Sequence, residues 1–167
     1  MDITNYIKTF DESTNDTLQL ANSCPPSRLT ISINGRWSVL QILEHIYMTE
    51  NLVCMLISKP SDKTAETIEL LGNDKIKKLV VEKRGQKVSA PESLKPKGDI
   101  KDVDGFEKVF LQQRNLLKQE ILTGKLTIDN RIHKHPMLGE MTINDWLNFL
   151  IHHTQRHLEQ IKDILAE

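Results

Sequence analysis

Several features that mark particular classes of protein are scarce or missing in this sequence. Of its 167 residues, two are cysteines, Cys24 and Cys54, and they have no CxxC spacing. Two thiols are too few for a disulfide-stapled scaffold, so we interpret both as reduced and Cys54 as core filler. No apolar run reaches the ~18 residues of a membrane span, and the N-terminus lacks the basic and apolar regions of a signal peptide. We therefore expect a soluble, cytoplasmic protein without a membrane partner.

An excess of charge of one sign is also missing, because 22 basic side chains are balanced by 23 acidic ones. Nucleic-acid-binding proteins normally carry a basic face, so this balance argues against a nucleic-acid partner. The chain is 38% hydrophobic and 27% charged, which is typical of a folded protein and not of a disordered one. Its length suits one core, and we predict a single domain over residues 1–167.

Apolar residues recur at helical spacing in four segments, which predicts an all-α four-helix bundle. The predicted helices cover approximately residues 4–21, 39–57, 103–123 and 142 to the C-terminus. Ser38 and Gln41 form a capping box at the start of the second helix. No sheet is predicted, although Leu29 to Ile33 alternates like a short strand.

Residues 59–104 lack this periodicity and are rich in charges, with proline and glycine between them. One short helical segment is expected from Asp74 to Val81. Because a structureless loop of this length is uncommon in a compact domain, we predict a long crossover between the second and third helices that covers one end of the bundle.

Two histidines on the fourth helix give the strongest chemical signal. His153 and His157 are four residues apart, so they lie on one helix face at a spacing suited to chelating a metal ion. They continue the apolar stripe of Trp146, Leu150 and Ile161, which predicts that both imidazoles point into the core. A buried polar group without a partner costs on the order of 1–3 kcal/mol. A metal would satisfy this pair, and so would hydrogen bonds to polar neighbours.

His45 lies at the border of the apolar stripe of the second helix. In a bundle it can meet His153 and His157, giving three nitrogen ligands and an open position typical of a catalytic metal site. The sequence HTQRH lacks the glutamate of the HExxH motif, so peptidase chemistry is not expected. Glu44 and Glu50 could orient a ligand or move a proton, but exposed helix charges of this kind are common.

Three further histidines are weaker candidates. His152 is rotated by about 100° from His153 on an ideal helix, so we expect it to face away, toward the surface or a partner. His133 and His135 lie in a predicted loop before Pro136. Solvent-facing histidines are the commoner case in such loops, and a ligand role for either residue is a minor alternative.

The two segments that carry these histidines resemble the signature regions of the DinB-like, YfiT-related superfamily of metal-dependent enzymes. RWSVLQILEHI contains a W-S-x-x-x-I-x-x-H pattern that ends at His45. HPMLGEMTINDWLNFLIHHTQRHLEQI contains H-x-x-x-H-x-x-Q-I, which matches His153, His157, Gln160 and Ile161. The resemblance implies an up-down-down-up four-helix bundle in which His45, His153 and His157 bind a divalent metal ion, zinc or nickel.

Some members of that superfamily resemble thiol transferases that use bacillithiol or mycothiol. The resemblance therefore implies a metal that activates a low-molecular-weight thiol, or water, for attack on a small electrophilic substrate. The main alternative is a non-catalytic stress-response bundle that binds a metal or another ligand. A purely structural bundle that forms a homodimer through its broad apolar helix faces is a third hypothesis, and a homodimer is compatible with all three.

Overall fold

Four long helices, separated by shorter elements, form the body of the structure. The computed structural model describes residues 2–32, 35–83, 85 and 89–167, and its long helices are α1 (Ile3–Ser23), α3 (Val39–Ile57), α5 (Val103–Leu122) and α6 (Ile143–Ala166). The short helices are α2 (Pro26–Leu29) and α4 (Asn73–Lys77), followed by a π-helical turn (Lys78–Glu82) and a 3-10 turn (Glu92–Leu94). A hairpin of two antiparallel strands, β1 (Ile132–His135) and β2 (Gly139–Thr142), precedes α6.

The long helices begin where the sequence supplies side-chain caps. Asp2 accepts hydrogen bonds from backbone N–H groups in the first turn of α1. The predicted capping box of Ser38 and Gln41 begins α3, and a second box, formed by Thr142 and Asp145, begins α6. Each cap satisfies N–H groups that have no partner within the helix, which stabilises the helix by about 1 kcal/mol.

Contacts between particular side chains establish the directions of the four long helices. Asn22, near the end of α1, bonds Glu107, near the start of α5, so these helices run antiparallel. The Tyr6 hydroxyl donates to the Leu147 carbonyl near the starts of α1 and α6, so these run parallel. The start of α3 packs in one core cluster with the second half of α6, and its end packs in the other cluster with the first half. The predicted up-down-down-up order is therefore confirmed.

A buried arginine lies where the two core clusters meet. The Arg114 guanidinium is 4.4 Å from the centre of the Phe10 ring, in one cluster, and 4.4 Å from that of Phe110, in the other. It bonds Glu50 on α3, Thr14 on α1 and Thr154 on α6, so one side chain joins all four long helices. These hydrogen bonds take the place of those that water would make to the guanidinium, whose charge would otherwise be costly to bury.

The crossover between α3 and α5 covers the side of the bundle formed by α3 and α6 and does not simply close one end. α4 and the π-helical turn, which account for the predicted helical segment, pack against α6, and the 3-10 turn packs against α3. The Asp145 carboxylate holds an earlier part of the crossover by accepting hydrogen bonds from the N–H groups of residues 70–72. The crossover therefore reaches both helices that carry the candidate ligands.

The prediction that the chain forms no sheet was wrong. The loop predicted around His133 and His135 is the β1–β2 hairpin, and it turns at residues 136–138, next to Gly139, which has a φ of 82°. The strand-like alternation from Leu29 to Ile33 forms no strand over residues 29–32, because α2 continues to Leu29, and Ile33 lies outside the described residues. In the described part of the chain, no helix combines the length and apolarity that crossing a bilayer requires.

Candidate metal centre

The structure brings His45, His153 and His157 together. One ring nitrogen from each histidine lies within 4.8 Å of the other two, and all three side chains are buried. His45 comes from α3, whereas His153 and His157 share one face of α6 because four residues make about one helical turn. The predicted convergence of the three rings is therefore what the fold produces.

Hydrogen bonds on the outer side of two rings determine which nitrogen carries hydrogen. His45 Nδ1 lies 2.8 Å from the Leu94 carbonyl oxygen, and His157 Nδ1 lies 2.9 Å from Gln160 Oε1. Both partners are acceptors, so each Nδ1 donates and each Nε2 keeps a lone pair. A hydrogen bond of this kind is what usually orients a histidine that binds a metal.

The two α6 histidines have a separation that suits a shared ion. Their Nε2 atoms are 3.2 Å apart. Two nitrogens at about 2.05 Å from one ion, with a tetrahedral angle between them, would lie about 3.3 Å apart. The same distance also fits one N–H···N hydrogen bond from His153 to His157, so the pair alone does not choose between the two arrangements.

The third ring favours a shared ion. Neutral His45 and His157 carry their hydrogens on Nδ1, so the inward-facing nitrogens of the three rings share at most one hydrogen, from His153. One hydrogen on His153 would leave two lone pairs, on His45 and His157, and a single hydrogen bond to His157 leaves that of His45 without a partner. A cation satisfies all three at once, and the residues present therefore fit a divalent metal.

Burial keeps these imidazoles in the neutral form that binds metals. It lowers the pKa of His157 to about 3 and that of His153 well below its usual value, and the neighbouring rings lower both further. Burial also lowers the pKa of His45, although the hydrogen bond to Leu94 opposes this effect. At neutral pH the three ligands do not have to lose a proton before binding.

Aromatic rings lie against two of the three histidines. The Trp37 ring centre lies 4.9 Å from that of His45, and the Phe149 ring centre lies 5.2 Å from that of His153. Phe149 also contacts His135, at 4.9 Å between centres. The sides of the site formed by Trp37 and Phe149 are therefore apolar, which limits the access of water there and strengthens electrostatic interactions within the site.

His135 and His133 are half-buried, so the expectation that they face solvent was wrong. The hairpin packs on the start of α6, where the His135 ring lies against Trp146 and Phe149. His135 Nδ1 accepts hydrogen bonds from the N–H groups of residues 137 and 138, and burial lowers its pKa to about 4. Neither histidine belongs to the three-histidine group. The tertiary contact that buries them has no local sequence signal.

His152 faces away from His153, as its helical rotation predicts, but it does not lie on the surface. Its side chain is buried, and Nε2 donates to the Asn73 side chain at 2.8 Å. Asn73 begins α4, which covers this side of α6. The exposure was mispredicted because the covering segment comes from the crossover.

Glu44 and Glu50 are both buried, with 2% and 1% of their surface exposed, so the alternative of exposed helix charges is wrong. The Glu44 carboxylate accepts hydrogen bonds from three backbone N–H groups of the crossover, at residues 97–99. The Glu50 carboxylate bonds Arg114 and accepts from Thr154 Oγ1 at 2.8 Å. Both carboxylates have partners that hold segments of the fold together, and neither bonds a histidine of the site within the described residues.

Comparisons with known proteins point to one family. A family model described as the DinB superfamily matches residues 9–161. YuaE of Bacillus subtilis (strain 168), an uncharacterised protein, is 28% identical over 136 residues, which cover 77% of this chain and 76% of YuaE. The family match includes the segments that carry the three histidines, although neither finding states what the histidines do.

Two solved structures share the fold. YfiT from Bacillus subtilis, described as a probable metal-dependent hydrolase with an unusual four-helix bundle topology, matches with a TM-score of 0.61 and 15% identity, over 98% of this chain and 86% of YfiT. TT2238, described as a four-helix bundle protein, matches with a TM-score of 0.54 and 18% identity, over 96% of this chain and 98% of TT2238. At these identities the likeness shows the four-helix bundle.

Proposed function

Because the chain belongs to the DinB superfamily, we propose that it is a metal-dependent enzyme with a divalent cation on His45, His153 and His157. When bound, the cation would lower the pKa of water or of a low-molecular-weight thiol and so supply a nucleophile for attack on a small electrophilic substrate.

The observation that carries this proposal is the arrangement of hydrogens among the three rings. His45 and His157 donate outward from Nδ1, and at most one hydrogen is left for three converging nitrogens. A structural role alone would be served by a closed set of hydrogen bonds, whereas this set leaves an inward-facing lone pair without a hydrogen, which a cation would satisfy. Three protein ligands are also the number found in catalytic zinc sites, which keep a further position for water or substrate.

The surrounding residues prepare the site for this chemistry. The Leu94 carbonyl and Gln160 hold two rings in the tautomer that binds a metal, and the Arg114 network holds α3 and α6 together beside the site. The rings of Trp37 and Phe149 limit access of bulk water. All three ligands are neutral, so they leave the full charge of a divalent cation to act on the nucleophile.

Water is the nucleophile we favour, and the description of YfiT as a probable metal-dependent hydrolase supports hydrolysis. Transfer of a bacillithiol-type thiol is the second candidate, and it rests on the resemblance of the two histidine segments to the superfamily signatures. Neutral imidazoles bind zinc and nickel well, and we propose one of these as the metal.

The test is a pair of assays on protein loaded with zinc or with nickel. One measures hydrolysis of aryl esters and amides, and the other measures consumption of bacillithiol in the presence of a reactive aryl halide. A His153→Ala/His157→Ala variant serves as the inactive control. Turnover in either assay that the control lacks would support an enzyme and identify the nucleophile. One bound metal per chain with no turnover of any substrate would instead support a non-catalytic binding bundle.

We further propose that the protein is one domain and forms a homodimer. Large apolar side chains are exposed on two neighbouring helices, Leu52 and Met55 on α3 and Leu116 and Leu122 on α5, which supports an interface on that side. Light scattering tests this directly: a mass of about twice 19.2 kDa supports the dimer, and a monomer at high concentration contradicts it.

A further inference from the structure

The crossover touches two consecutive residues of α3 at the metal centre. The Leu94 carbonyl accepts the hydrogen bond from His45 Nδ1, and the N–H groups of residues 97–99 donate to the Glu44 carboxylate. One loop, residues 94–99, is therefore bonded both to a candidate ligand and to the residue before it. Only Lys95 and Pro96 separate the two attachments.

The attachment to Glu44 is the firmer of the two. Three successive N–H groups reach one buried carboxylate at distances of 2.9, 3.0 and 3.1 Å. Hydrogen bonds to an ionised acceptor are roughly twice as strong as neutral ones, and a buried carboxylate needs several of them. Gly98 has a φ of 77°, a conformation that side chains disfavour, and it lets the three N–H groups point at one carboxylate.

The Leu94 carbonyl is held in place from both sides. The 3-10 turn that ends at Leu94 closes through a hydrogen bond from Leu94 N to the Pro91 carbonyl at 2.9 Å. On the other side, Pro96 favours an extended backbone at Lys95, which has φ and ψ of −71° and 135°. Because the connection through Lys95 and Pro96 is short and restricted, the hydrogen bonds to Glu44 determine where the Leu94 carbonyl lies.

We propose that Glu44 is a positioning residue for the metal ligand His45. By anchoring residues 97–99 it places the Leu94 carbonyl on Nδ1, which keeps the hydrogen there and leaves the lone pair of Nε2 facing the other two histidines. The inference deepens the proposed function and rests on it for the role of the metal, but the effect of Glu44 on the His45 ring is a property of the metal-free protein.

A matched control exists elsewhere in the crossover. Asp145 accepts hydrogen bonds from the N–H groups of residues 70–72, and Gly72 there has a φ of 76°, so the arrangement is closely similar to that at Glu44. This second anchor bonds no segment that touches His45. Asp145→Asn therefore weakens an equivalent attachment of the crossover, together with the capping box of α6, without disturbing the Leu94 carbonyl.

The first measurement follows the imidazole nitrogens of His45 by two-bond proton–nitrogen NMR in metal-free protein, with a His45→Asn spectrum for assignment. Wild type and Asp145→Asn are expected to show His45 with hydrogen on Nδ1. Glu44→Ala, or Glu44→Gln if the alanine variant does not fold, is expected to show a mixture of the two tautomers. An unchanged Nδ1–H tautomer in a folded Glu44 variant would overturn the inference.

The second measurement is the zinc dissociation constant of the same proteins by competition with a chelating dye. Loss of an outer hydrogen-bonding partner typically weakens metal binding by 10–100-fold, and we expect about tenfold for Glu44→Ala and less for Glu44→Gln. Gly98→Ala should also weaken zinc binding, although it leaves the Glu44 carboxylate intact. The added Cβ would meet no atom within 4 Å, so the variant acts only by straining the backbone at Gly98.

The outcomes separate this inference from the proposed function. If Asp145→Asn, at equal or greater loss of stability, weakens zinc binding as much as Glu44→Ala does, Glu44 acts through general stability and the inference is wrong. If wild type binds no metal, the proposed function fails, and the NMR result still decides whether Glu44 controls the His45 ring.

Discussion

Removing Arg114 should destabilise the bundle far more than removing an ordinary surface charge. Arg114 and Glu50 expose 2% and 1% of their side chains, and the guanidinium also bonds the Phe10 carbonyl and Thr14 and Thr154. In Arg114→Ala the Glu50 carboxylate would keep only the Thr154 hydroxyl among its described partners, at 2.8 Å. An uncompensated buried charge of this kind typically costs about 3–5 kcal/mol.

Urea unfolding at pH 7 measures this cost. A loss of about 3–5 kcal/mol in the free energy of unfolding corresponds, in a protein of this length, to a fall in Tm of roughly 6–20 °C. Lys118→Ala is the control, because Lys118 also lies on α5 and pairs with Asp11 on α1 at 32% and 45% exposure, and such pairs contribute about 0–1 kcal/mol.

A double variant separates the buried charge from lost packing. Arg114→Met with Glu50→Leu removes both charges while keeping apolar volume, so it should lose clearly less stability than the sum of the two single variants. Additive losses, or a loss below about 1 kcal/mol in Arg114→Ala, would refute the reasoning that this pair holds the four helices as a unit.

Three further predictions follow from individual contacts. Saturating zinc, at about 100 times its dissociation constant, should stabilise wild type by about 2.7 kcal/mol and leave His157→Ala unchanged, as measured by thermal unfolding. The pKa of His135 is about 4 when folded and about 6.5 when unfolded, so the unfolded state binds the proton first and stability falls with pH below about 6.5. Between pH 7 and pH 5 this should cost metal-free wild type about 1–2 kcal/mol more than His135→Asn in urea titrations, and equal losses would contradict the burial of that ring. Ser38→Ala should lose about 1 kcal/mol through its capping box, and a change below a few tenths would show that the cap is dispensable.

Much of the fold could be predicted because local sequence determines it. Each long helix carries an apolar stripe at helical spacing, and the capping box at Ser38 marks the first residue of α3 within the sequence itself. The same periodicity placed His153 and His157 on the buried face of α6. Predicting that they meet His45 also required that the helices pack as a bundle, and the four apolar stripes predicted that bundle.

The mispredicted exposure of Glu44, Glu50 and His152 has a different cause, since each depends on a partner distant in sequence. The burial of Glu50 requires Arg114, 64 residues away, and that of Glu44 requires three N–H groups more than 50 residues away. His152 is covered by α4, 79 residues before it. No periodicity of a single segment reports such contacts, so charged residues with buried partners were interpreted as ordinary surface charges.

The central claim is that the three histidines form one metal site, and equilibrium metal binding tests it most directly. Metal-free wild type would be titrated with zinc and with nickel by calorimetry, beside His45→Ala, His153→Ala and His157→Ala, with His152→Ala as a control of similar burial outside the group. The account predicts one ion per chain in wild type and in His152→Ala, and greatly weakened binding in each of the other three. No binding of either metal to folded wild type, or equal binding by all five proteins, would contradict it.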